Sequence, residues 1–135
     1  MLLASLAAAV ASFLLGWLIY GMLLADVMAG GTNQACMRAM EDMNMMAMVI
    51  ANLIWGLLFG WTLWKMGVNT AMGGVMPGAI LAALIAAGMD MFLLAMSLWF
   101  TNSTVIIVDV VASAVQGAIV GAVVGWMLGM GKKAA

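Results

Sequence analysis

Apolar residues run along this chain in four long blocks: residues 2–25, 45–64, 77–100 and 105–130. Short polar joints separate them. A helix needs ~20 mostly apolar residues to cross a bilayer. Hydrocarbon tolerates only a backbone that satisfies its own hydrogen bonds. The pattern predicts an all-α fold: a bundle of four transmembrane helices forming one domain over residues 1–135. The apolar start could pass for a signal peptide. It has no basic n-region and runs longer than the usual h-region, so it is read as a retained first helix.

Glycines and small polar residues mark the joints. Gly30 and Gly31 are expected to end the first helix. Thr32 or Asn33 is expected to cap a short helix within the joint 26–44. Pro77 suits the first turn of the third helix, where its missing N–H costs little. The joint 101–104 is short enough to make the third and fourth helices antiparallel neighbours. Trp61, Trp64 and Trp126 fall near one predicted interface and Trp99 near the other, as in aromatic belts. Trp17 and Trp55 fall deeper, where packing against another helix would hold them.

The few charges set an orientation. Lys65 follows the second span, and Lys132 and Lys133 follow the fourth. The other side carries Asp26, Glu41 and Asp42 with Arg38. The positive-inside rule then puts both termini in the cytoplasm of a bacterial inner membrane and the joint 26–44 outside.

Composition narrows the chemistry. The 135 residues are 68% hydrophobic and 7% charged, with a net charge of −1. Four basic residues make no footprint for nucleic acid. One cysteine and no histidine exclude, within one chain, a disulfide framework, a His-based metal or haem site and a Cys–His or Ser–His pair. The expectation is a protein that is not an enzyme and has no cofactor.

Two sets of residues stand out inside the spans. Ser113, Gly117, Gly121, Gly125 and Gly129 recur every four residues on the fourth helix. Gly56 and Gly60 do so on the second. Small residues at this spacing let another helix approach closely in lipid. The GxxxGW endings at Gly56–Trp61 and Gly121–Trp126 echo each other, as two helix pairs of similar build would. The second set is acidic and polar. Asp90 lies ten residues from the outer end of its predicted span, and Asp109 a few residues from its own. A carboxylate facing lipid is costly, so both are expected to face the interior. No cation lies inside any span, so Asp90 is expected to carry a proton or to be hydrogen-bonded, with Asn52 as partner. Arg38 is placed to reach Asp109. Gln116 and Ser97 complete this cluster.

Methionine and cysteine crowd one outer stretch, with Cys36, Met37, Met40 and Met43 at its centre. Soft sulfur ligands select Cu(I) or Ag(I). The chain holds 17 methionines spread through every span, so packing accounts for most of the crowding.

Phe13–Gly21 with the acidic joint after it, the tryptophan–glycine second helix, Asp90, and Val108–Val111 leading into the GxxxGW ending together resemble a known group. It comprises small four-helix bacterial membrane proteins, of Bacteroidetes type, in a domain-of-unknown-function family. The resemblance implies four-span topology and brings no activity. The leading expectation is therefore a protein acting by helix association, as a homo-oligomer or an accessory subunit of a larger, respiratory-type membrane complex. Its partners would be lipid, itself or other membrane subunits. The alternative is a small proton, ion or solute channel or transporter using Asp90 and Asp109.

Overall fold

The computed structural model describes residues 1–33 and 42–134. Its helices are α1 (Leu2–Leu18), α2 (Ala25–Gly31), α3 (Met45–Lys65), α4 (Ala71–Met96) and α5 (Thr104–Ala134). A π-helical turn, Ile19–Leu23, continues α1. Among the described residues, four helical stretches are long and apolar enough to cross a membrane: Leu2–Leu23, Met45–Lys65, Ala71–Met96 and Thr104–Gly131.

Local chemistry moves several boundaries from their sequence-based places. The first helix does not run unbroken to Gly30. It changes direction at Leu24, whose N–H reaches back five residues to the Ile19 carbonyl at 2.8 Å. The short α2 then runs to Gly31, and Thr32 is extended. Pro77 does not open the third span. Thr70 caps α4 six residues earlier than expected, its hydroxyl accepting the Gly73 N–H at 3.0 Å. Pro77 therefore sits inside the helix, a placement that costs about 3 kcal/mol for want of an N–H. The close packing of this first part of α4, described next, offsets it. At the other end α4 stops at Met96, and Ser97 is extended. The joint to α5 thus covers 97–103, wider than 101–104.

Helix packing follows the small residues. A methyl group added at Gly121 would overlap the Gly74 carbonyl, and one at Gly78 would overlap the Gly117 carbonyl. Further along, Gly125 meets the Thr70 carbonyl and Gly129 that of Asn69. The ladder of α5 thus lies directly on α4, antiparallel, with two stretches of main chain in contact. The second pair is built the same way. Gly56 and Gly60 of α3 receive Ser5 and Ala9 of α1. In the α1–α3 pair the contact glycines lie on α3 alone, whereas in the α4–α5 pair both helices carry them.

The two pairs join through α1 and α5, giving the spatial order α3, α1, α5, α4. The row curls until α3 and α4 come near each other, but these two outer helices touch only sparsely. Ala4, Ala8, Phe59, Leu63, Ala82, Val120 and Val124 form the core. Met1, Trp64, Gly67 and Met130 gather at the end near this core. At the opposite end, α2 is tied to the α4–α5 joint. Asn33 N–H donates to the Trp99 carbonyl, and Thr101 N–H donates to that of Gly31 at 2.9 Å. A β-bridge pairs Thr32 with Phe100.

Candidate functional site: a polar cavity between the helix pairs

Beyond Phe59 and Val120 the bundle is not filled. A cavity of about 410 Å³ opens there, walled by α1, α3, α4 and α5. Its polar lining is Ser12 from α1, Tyr20 from the π-helical turn that continues it, Asn52 from α3, Asp90 from α4, and Asp109, Ser113 and Gln116 from α5. This volume lies within the range of small-molecule sites, which is ~300–1,000 Å³.

Helix ends explain why the two acids meet. Asp90 is six residues before the last residue of α4, Met96, and Asp109 five after the first residue of α5, Thr104. At 1.5 Å per residue both lie roughly 8–9 Å from the same end of an antiparallel pair. The expected span boundaries had put Asp90 deeper and hidden this match. The two carboxyl groups are neighbours in the cavity wall.

Asp90 is the best buried of these polar residues, at 5% exposure. Its Oδ2 is buried, and among the described residues no donor reaches it. Asn52, its expected partner, instead donates from Nδ2 to the Met48 carbonyl one turn back, at 2.9 Å. Gln116 spends Nε2 on the Ser12 carbonyl, at 3.1 Å. An unsatisfied buried oxygen costs ~1–3 kcal/mol. Native structures rarely keep one without a ligand, water or proton to serve it.

Tyr20 closes the cavity on the α1 side. Its hydroxyl lies 2.8 Å from Ser113 Oγ, and it donates to the Asp109 main-chain carbonyl at 3.3 Å. The π-helical turn that holds Tyr20 is a form often found at functional sites. Trp55 and Phe59 add aromatic wall, with ring centroids 6.3 Å apart. Trp17, read above as packed, is 59% exposed on the outer face.

Of the expected polar cluster, Asp90, Asp109, Asn52 and Gln116 share the cavity. Ser97 does not. It lies past the end of α4, exposed, with its hydroxyl donating to the Leu93 carbonyl at 2.6 Å. Ser113 was assigned to the packing ladder, yet it faces the cavity and hydrogen-bonds Tyr20. Tyr20 and Ser12 were missed. One signal for them was available: Asp109, Ser113 and Gln116 sit at i, i+4 and i+7, one face of a helix. Arg38, Cys36, Met37 and Met40 lie outside the described residues, as does the short helix expected after Asn33. Met43 is described and lines no part of this cavity.

No family model, curated protein or solved structure matches the chain.

Proposed function

We propose that this protein is a small, non-enzymatic carrier of protons or a small cationic solute, with Asp90 and Asp109 as its exchanging pair. It would work in a bacterial inner membrane with both termini in the cytoplasm, the side favoured by Lys65, Lys132 and Lys133.

One observation carries the reading. Asp90 is buried in a cavity it shares with a second acid, and among the described residues no donor reaches its Oδ2. Intramembrane acids are costly and commonly mark ion or proton routes. A structural clasp would pair the carboxyl with a donor. Here each nearby amide gives one N–H to a main-chain carbonyl, and neither reaches Asp90 Oδ2 with its other. The glycine ladder gives no argument for association with another chain, because its close contacts are made within the subunit. Kinship with the Bacteroidetes-type proteins rests on short motifs and assigns no activity.

The test is flux. Purified protein in liposomes, with a pH-sensitive dye inside, should dissipate an imposed proton gradient faster than empty liposomes. Asp90→Asn and Asp109→Asn should each abolish the excess. Equal rates for wild type and both variants would refute the role of the pair.

A further inference from the structure

We infer that the cavity takes a hydrophobic organic monocation, which enters from the lipid between α3 and α4. The inference rests on the reading of Asp90 and Asp109 as a ligand site, and it adds the ligand's class and route.

Three features define the ligand. The first is charge. Two carboxyl groups face the cavity, and among the described residues no basic side chain lines it. A cation brought beside them gains far more in this apolar surrounding than in water. The second is hydrophobicity. Apart from the polar groups named, the walls are Trp55, Phe59, Ala82, Ile85, Met89 and Val120 with a few other small or apolar residues. A hydrated inorganic ion would have to shed its water against mostly hydrocarbon. An organic cation brings its own apolar surface, and aromatic faces attract such cations. The third is access. Trp55 and Met89 line the cavity and keep 36% and 59% of their surface exposed. They belong to α3 and α4, the two helices that touch only sparsely. Trp55 lies at the midpoint of α3, a depth at which the neighbouring medium is hydrocarbon. A ligand that partitions into lipid can reach this mouth, while a hydrophilic one cannot.

Binding is coupled to protons. Two adjacent carboxylates in an apolar site repel each other, so a cation and a proton compete for the pair. Among the described residues, the titratable groups facing Asp90 are Tyr20 from the π-helical turn and Asp109 from α5, and α3 contributes only the neutral Asn52. Affinity for the cation should therefore fall as pH falls.

Benzyltrimethylammonium is a suitable probe, because it is permanently charged and has no proton to give. Neopentylbenzene has the same shape without the charge. Equilibrium binding of radiolabelled probe to protein in lipid nanodiscs should be saturable. Excess neopentylbenzene should not displace it, and proton release should accompany it in weakly buffered solution. Asp90→Asn should weaken binding by about tenfold or more, and Asp26→Asn, on exposed α2, should not. Thermal unfolding of each variant shows whether it is folded. If Asp90→Asn fails to fold, Asp109→Asn and the charged-versus-neutral comparison on wild type decide. No saturable binding, equal competition by neopentylbenzene, or undiminished binding to a folded Asp90→Asn would overturn the inference. Proton flux that needs Asp90, without cation binding, would defeat this inference and leave the proposed function standing. Binding without flux would do the reverse.

Discussion

Tyr20 and Ser113 meet at 2.8 Å across the contact between α1 and α5. The same Tyr20 hydroxyl reaches the main chain at Asp109, so one phenol links the two helix pairs beside the acids. Its removal should loosen that junction. Tyr20→Phe is expected to cost ~0.5–1.5 kcal/mol, the net worth of a typical hydrogen bond. Ser113→Ala should cost a similar amount, and the double variant less than the sum. Unfolding in detergent, analysed as a double-mutant cycle, measures this. Strict additivity would show that the two hydroxyls are not coupled.

Glycine positions should divide sharply by their surroundings. Gly78→Ala and Gly121→Ala place a methyl group into the main chain of the facing helix. Each is expected to destabilise by ~1–3 kcal/mol, as overpacking does elsewhere. Gly88, on the same helix as Gly78, has nothing within 4 Å of an added methyl. Gly88→Ala should be neutral or stabilise by ~0.4–1 kcal/mol through the unfolded chain. Thermal unfolding of the three variants side by side checks the contrast. Equal effects at all three would mean that α4 and α5 do not pack through these glycines.

Asp90 should behave as a residue kept for use, not for stability. Asp90→Leu removes a buried carboxyl whose Oδ2 has no donor to strand among the described residues. It is therefore expected to leave stability unchanged or to raise it, since replacing an unsatisfied polar group by an apolar one relieves its desolvation cost. A loss of several kcal/mol on unfolding would instead reveal a hydrogen-bond partner and favour a structural clasp.

Much of this fold is legible in the sequence, because a span declares itself by length and apolarity alone. Which face of a span points inward is a different matter. Lipid is as apolar as a core, so hydrophobic periodicity does not separate the two. That is why Ser12 and Tyr20 on α1 went unread: their role depends on α1 lying against α5. Span ends mattered as much. Reading Pro77 as a helix start concealed Gly74 as a helical residue, and with it the second half of a Gly74–Gly78 ridge facing Gly117 and Gly121. The other end of the same span, expected at residue 100 and found at Met96, had put Asp90 and Asp109 at different depths, although their antiparallel helices bring them level.

Orientation has its own test. With Lys65, Lys132 and Lys133 on the cytoplasmic side, Cys36 should react with a membrane-impermeant thiol reagent in intact cells. Reaction only after the membrane is opened would reverse the orientation. A denatured control confirms that the thiol is free.

The protonation of the acid pair tests the central claim most directly. Infrared difference spectroscopy on the purified protein in lipid, at neutral pH, reads the carbonyl stretch of a protonated carboxyl, which ionisation removes. The wild type should show such a band, absent in Asp90→Asn or Asp109→Asn, that weakens when benzyltrimethylammonium is added. A band that the cation does not alter would count against the cation site, and no protonated carboxyl that either variant removes would contradict an exchanging pair at Asp90 and Asp109.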